Sequence, residues 1–205
     1  MAILPIDSGR YGTKEMLEIF GEQKKVDYQL QIEAAAALSQ SEINLIPKSI
    51  AKDIAKAARS GKITAKRIKQ LEAKSDHDTA ALVESLAERC KKESRPWIHY
   101  GLTSNDLVDT SNSMQMRDAI KVIQPKVGKL ALLLSKNAVK YKVLPAVGRT
   151  HGQHASIISF GLKFANWASE MATHLERLDE IKKRILICKT LGVVGTGSLM
   201  GKDAV

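Results

Sequence analysis

Two stretches of this chain carry apolar residues at helical spacing over a greater length than one ordinary domain can cover. From Asp106 to about Lys140, Val108, Ser111, Met114, Ile120, Ile123, Val127, Leu130, Leu134 and Ala138 trace one stripe. Over 157–188, Leu162, Ala165, Ala168/Ser169, Ala172, Leu175, Leu178 and Ile181 trace a second. Recurrence every three to four residues marks a helix with one buried face, and at 1.5 Å per residue each stretch predicts a rod about 50 Å long. Pro125 and Gly128 predict a kink in the first. A chain of 205 residues makes about one large domain or a domain and a half. Rods of this length are best buried in a bundle that other helices or other subunits complete.

The remainder reads as shorter helices and connections. Thr13 caps a helix of about seven turns whose apolar positions include Met16, Ile19/Phe20, Val26, Leu30, Ala34 and Ala37/Leu38. Pro47 opens a shorter helix that Ser60-Gly61 ends. Thr64 caps another, to about Lys74, and a further helix spans Ser75 to about Glu93. Ser94 to Asn105 reads as a loop, and Leu144 to Ala155, broken by Pro145, Gly148 and Gly152, as extended chain or loop. The glycine-rich stretch from Gly192 reads as a flexible turn ending the last long helix. Aromatic residues are only 4 % of the chain, so the core falls to Leu, Ile, Val, Ala and Met, which favours packed helices over a β-sandwich. The expectation is an all-α protein: a small helical N-terminal domain over 1–105, then the first part of a central long-helix bundle over 106–205, its C-terminal remainder absent.

The net charge of +10 fits nucleic acid, an anionic surface or small acidic substrates equally. Lys and Arg crowd residues 48–74, but without the interleaved aromatics that base stacking needs they read as solvated helix faces, so no nucleic-acid partner is expected. No run of about 18 apolar residues is present, so no membrane span is expected. Cys90 and Cys188 match no disulfide framework or zinc ribbon, and the N-terminus lacks the basic start of a signal peptide, so the expected location is cytoplasmic.

Four clusters hold the residue types that chemistry uses. In Ser75-Asp76-His77-Asp78, Ser75 or Asp76 reads as a helix cap, which leaves an imidazole between carboxylates without a structural reason. Gly101-Leu102-Thr103-Ser104-Asn105-Asp106 sets hydroxyls at the start of a long helix, where free N–H groups favour a carboxylate or phosphate. Gly148-Arg149-Thr150-His151-Gly152-Gln153-His154 concentrates proton-handling and anion-binding groups around two glycines. The two histidines are not at the i, i+4 spacing of a helical zinc pair, and no metal is expected. Leu191-Gly192-Val193-Val194-Gly195-Thr196-Gly197 is neither a Walker loop nor a dinucleotide fingerprint.

Taken in order, these segments resemble the N-terminal part of the adenylosuccinate lyase family, within the fumarase and aspartase superfamily. Arg10-Tyr11-Gly12-Thr13-Lys14-Glu15-Met16 resembles its R-Y-x-x-x-E-M opening. Thr103-Ser104-Asn105-Asp106-x-x-Asp109-Thr110 resembles T-S-x-D-x-x-D-T, Gly148 to Gln153 resembles G-R-T-H-G-Q, and Gly192 to Thr196 resembles G-x-x-G-T. The resemblance implies an all-α fold in which four subunits pool their bundles. It also implies β-elimination of fumarate from adenylosuccinate, giving AMP, and from the succinyl-carboxamide ribonucleotide of purine synthesis, with no cofactor. Carried over residue by residue, His151 is the general acid, and His77 with Asp76 and Asp78 holds the substrate and orients the acid. Thr103 and Ser104 stabilise the carbanion's carboxylate, Arg10 and Tyr11 clamp the phosphate, and Thr150 and Gln153 bind substrate beside the acid. His154 is expected to serve structure or packing, and His99 and His174 to be structural or exposed. The superfamily's S-S-x-M-P-x-K-x-N loop, which carries the serine base, has no counterpart here, so these residues alone are expected to be inactive. The alternatives are another fumarate-releasing member such as argininosuccinate lyase, or a helical assembly module without catalysis.

Overall fold

The computed structural model describes residues 10–200. It contains α1 (Lys14–Ile19), α2 (Glu22–Glu42), α3 (Lys48–Ala58), α4 (Ala65–Ser75), α5 (Asp78–Ala87), a 3₁₀ turn (Lys92–Trp97), α6 (Ser104–Lys140), β1 (Pro145–Thr150), β2 (Gln153–Ser159) and α7 (Phe160–Ile185). The class is all-α with one two-stranded hairpin. Residues 10–116 together with 186–200 form one unit, and 117–185 form a second.

Within the first unit, the expected seven-turn opening helix is two helices. Phe20 closes α1, and Gly21 takes an extended backbone to start α2. A Cβ on Gly21 would stand 3.0 Å from the Leu17 carbonyl, so glycine suits this corner. The six-residue gap in the stripe between Phe20 and Val26 marks the same change of phase. The core lies where α2 packs on α3 and α4 on α5: Ala34, Ala51, Ile54, Leu71, Leu82, Leu86 and Leu107 are at most 2 % exposed. Alanines at 34, 37, 51, 55, 57 and 58 keep the side chains between α2 and α3 small, so the backbones approach closely. An exposed ion pair, Arg67–Glu88, joins α4 to the end of α5, and hydrogen bonding to Arg67 holds the Glu88 carboxyl below its usual range. Gln115 on α6 donates from its buried amide to the Ile19 carbonyl (2.8 Å), tying α1 to the longest helix.

In the second unit, α6 runs unbroken past Pro125 and is followed by the hairpin and α7. The segment expected to be extended or loop is a paired ladder, and the helix expected from residue 157 starts at Phe160, because Ile157 and Ile158 pair with Val147 and Ala146. Gly161 is where α7 touches α6: a Cβ there would collide with the Ala138 carbonyl. Tyr141, Phe160, Phe164 and Trp167 stack around this junction with ring centroids 5.4–5.8 Å apart. Gln124 and Lys182 both bond Asp179 (2.9 and 2.7 Å) and hold its carboxyl below the usual range, Lys182 more strongly.

The two apolar stripes are only partly covered: Ser111 and Ile120 of the first are buried, while most of the rest is half-buried or exposed. Ile123, Leu130, Leu162 and Ile181 are exposed, and Gly161 is the buried residue of α7. A pair of helices can cover only the seam between them, so the other apolar flanks face outward.

Two outcomes follow. Ile54→Ala opens a cavity at a fully buried site and lowers stability by about 2–5 kcal/mol, read from denaturant unfolding. Burial, reinforced by nearby Asp53, pushes the Cys90 thiol up to about 11, so at pH 8 roughly 0.1 % is thiolate. Brief alkylation at pH 8 followed by peptide mass spectrometry should label exposed Cys188 and spare Cys90.

Candidate active site

The start of α6 is built differently from an ordinary helix cap. In a capping box, the first residue's hydroxyl bonds the N–H three residues on, and the residue there bonds back. Here only the return bond exists. Oδ2 of Asp106 accepts from the Thr103 N–H (3.0 Å), and among the described residues neither the Thr103 nor the Ser104 hydroxyl forms a hydrogen bond. Both hydroxyls therefore stand unspent and half-exposed beside the positive end of a 37-residue helix.

The same Asp106 oxygen accepts from the N–H of Gly192 (3.0 Å), 86 residues away in sequence. Thr110 Oγ1 accepts from the Lys189 N–H (3.0 Å) and donates to its carbonyl (3.2 Å), while Lys189 Nζ reaches Asp109 (3.2 Å). The glycine segment is thus not merely a turn that ends a helix. It is strapped along the first two turns of α6 by three residues of the T-S-x-D-x-x-D-T motif. Gly192 has φ +74°, and a Cβ on it would meet the Gly101 carbonyl at 2.9 Å, so the two glycine-containing loops lie back to back. Gln40 locks the arrangement by donating to the Tyr100 carbonyl (2.7 Å).

His77 has the structural role that the sequence left open. It is the cap of α5: Nδ1 accepts from the Ala80 N–H at 3.2 Å. A nitrogen accepting from an amide carries no proton, so the neutral ring bears its proton on Nε2. The imidazole is exposed and presents an N–H donor away from the helix. Asp76, expected as a possible cap of the same helix, instead closes α4 in the left-handed conformation (φ 51°), and Ser75 lies in the last turn of α4. Asp78 accepts from the Thr79 N–H at 2.7 Å.

In the second unit, His151 (φ 53°) and Gly152 (φ 75°) are the two central residues of the hairpin turn, as a type I′ geometry requires. Thr150 and Gln153 pair directly beside it. Side chains alternate along a strand, so Thr150 and Gln153 share one face and the next pair, Arg149 and His154, takes the other. Arg149 donates to Nε2 of His154 across the strands (3.1 Å), which gives His154 the structural role expected of it. His99 is also structural. Its Nδ1 lies 2.6 Å from buried Glu33, and its N–H bonds the same carboxylate at 3.0 Å.

Arg10 and Tyr11 are exposed, with the guanidinium carbon 5.5 Å from the ring centre. The first unit therefore holds Arg10, Tyr11, Asp76, His77, Asp78, Thr103 and Ser104, and the second holds Thr150, His151 and Gln153. Among the described residues, no hydrogen bond or ion pair joins the 10–11, 76–78 and 103–104 groups. A mostly apolar cavity of about 610 Å³ in the first unit, lined by Ile32, Leu102, Thr110, Met114 and Met200 among others, includes none of the expected site residues. No group of three or more His, Cys, Asp or Glu among the described residues could hold a metal ion. Likewise, no described helix is long and apolar enough to cross a membrane. Sequence reasoning overlooked Asp106 and Thr110 as the straps between motifs. Both stood inside a motif already singled out, where Asp106 read only as part of a polar cap.

The sequence model of a protein family described as lyase matches residues 9–204. The chain belongs to this lyase family. Among curated relatives, the family chain is 44 % identical over 202 residues to the adenylosuccinate lyase of Methanocaldococcus jannaschii, covering 98 % of itself and 44 % of that protein. It is 39 % identical to the adenylosuccinate lyase of Methanothermobacter thermautotrophicus, covering 99 % of itself and 45 % of the relative. The chain thus spans a little under half the length of these relatives. Among solved structures it is similar to a fumarate lyase from Mesorhizobium sp. BNC1, with TM-score 0.87, 30 % identity, and 95 % and 47 % of the two chains covered. It is also similar to the 3-carboxy-cis,cis-muconate lactonizing enzyme of Pseudomonas putida, with TM-score 0.88, 30 % identity, and 95 % and 45 % covered.

The cap at His77 yields a separable test. His77→Ala leaves the Ala80 N–H without its acceptor and costs about 1 kcal/mol in thermal or denaturant unfolding. His77→Asn retains a cap and stays close to the parent in stability.

Proposed function

We propose that the protein containing this chain eliminates fumarate from adenylosuccinate to give AMP, and from the succinyl-carboxamide ribonucleotide of the same biosynthesis. The observation that supports this most is the pair of hydroxyls on Thr103 and Ser104 at the start of α6, neither hydrogen-bonded among the described residues, with the Asp106 carboxylate holding the Thr103 N–H beside them. Elimination removes a proton from the carbon next to a carboxylate. The charge left behind spreads into that carboxylate, and donors already aimed at it stabilise the carbanion without reorganising. Two hydroxyls at the positive end of a long helix are suited to that task.

The C–N bond then breaks, its electron pair goes to the departing nitrogen, and a general acid supplies the proton. His151 has that role. It sits at an exposed hairpin tip, flanked by Thr150 and Gln153, which bind substrate. His77 donates from Nε2 to hold the substrate and orient the acid, assisted by Asp76 and Asp78. Arg10 and Tyr11 clamp the nucleotide phosphate, a function that an argininosuccinate lyase would not need. These groups meet at sites built from several copies of the chain, in a cytoplasmic homotetramer whose pooled bundles cover the exposed stripes. No cofactor, nucleic acid or membrane enters the reaction. The base is a serine on a segment outside these residues.

The full-length protein, incubated with adenylosuccinate and separately with argininosuccinate, should show the ultraviolet change of fumarate release with the nucleotide alone. Release from argininosuccinate alone overturns the substrate assignment, and release from neither favours a helical assembly module. His151→Gln should lower kcat by about 10²–10⁴-fold, the usual worth of a general acid. A polypeptide of these 205 residues alone should show no turnover.

A further inference from the structure

We propose that Asp106 is a positioning residue for the elimination, setting the hydroxyl loop and the glycine segment in one register. This rests on the reading above that Thr103 and Ser104 bind the substrate carboxylate. Asp106 is fully buried, and one of its oxygens collects two amide N–H groups, from Thr103 and Gly192, each at 3.0 Å. Its other oxygen is shut off from solvent and has no hydrogen-bond partner among the described residues.

A buried carboxylate with one oxygen left unpaired is a poor way to gain stability, since that oxygen loses its water for nothing in return. What the carboxylate does supply is geometry. It is the shared acceptor between two segments 86 residues apart, and it sits at the fourth position of the T-S-x-D motif. The tight backing of the loop, with the Gly192 Cβ position 2.9 Å from the Gly101 carbonyl, leaves little room for the two segments to drift unless this joint opens.

The test compares Asp106→Ala with Asp106→Asn in the full-length protein. Asparagine keeps one carbonyl oxygen able to accept both amides but removes the charge. Alanine removes the acceptor. For fumarate release from adenylosuccinate, Asp106→Ala should lower kcat at least tenfold while KM and AMP affinity stay within about threefold of the parent. Asp106→Asn should recover most of the loss. Equal impairment of both variants overturns the proposal in favour of a charge or proton role, and full activity of the alanine variant overturns it outright. A loss confined to KM or AMP affinity does the same.

Hydrogen exchange at the Thr103 and Gly192 amides supplies a readout independent of turnover. Both should be protected in the parent and in Asp106→Asn, and should exchange at least tenfold faster in Asp106→Ala. Unprotected amides in the parent refute the joint even if the alanine variant fails to fold. A parent that shows the protected joint but releases no fumarate indicts the proposed function instead.

Discussion

One carboxylate oxygen, Oδ2 of Asp106, holds together two parts of the chain that the backbone leaves far apart. It accepts from Thr103, at the mouth of α6, and from Gly192, beyond the end of α7. Because the acceptor is buried, neither bond competes with water. Thr110 and Asp109 extend the joint by one helical turn, and Gln40 secures the loop from α2. The first turns of α6 thus act as the spine of the first unit. Through Gln115 the spine also fixes the end of α1, the helix that follows Arg10 and Tyr11.

The second feature that organises the molecule is what its long helices leave uncovered. α6 and α7 meet at Gly161 and at the aromatic cluster around Tyr141, yet Leu130, Leu132, Leu133, Leu162 and Trp167 stay exposed. Apolar side chains exposed in this number suit surfaces that await a partner. The proposed tetramer gives them one. It also accounts for residue types at the hairpin tip that serve little purpose in an isolated chain: His151 is held exposed in a left-handed turn, with Thr150 and Gln153 beside it.

Much of this was legible in residue spacing. The helical class, the two long rods and the four polar clusters follow from three-to-four periodicity and from glycine and proline positions, which are local properties of the chain. The misreadings share a cause. The corner at Gly21 was hidden because the stripe resumes in a new phase only six residues later. The sequence reads as extended chain or loop over Leu144–Ala155 and as helix from 157, and the hairpin over 145–159 escapes it because its alternation is weak and a bulge between Val147 and Arg149 interrupts it. A cap was assigned to Ser75 or Asp76 by residue preference, whereas the helix start lies at His77, whose ring nitrogen is a less common acceptor for the same bond.

The amino-acid sequence by itself determined which segments are helical, which faces are apolar and which short stretches carry hydroxyls, imidazoles and guanidinium groups. These depend on neighbours within a few residues. The tertiary structure alone decided that the hydroxyl loop and the glycine segment share a single buried acceptor, that the Thr103 and Ser104 hydroxyls bond no other described residue, and that His77 caps α5 through Nδ1. Each of these outcomes is a matter of which partner a polar group finds first. That choice is made across tens of residues by the packing of α6 against the rest of the first unit, and no spacing rule along the chain encodes it.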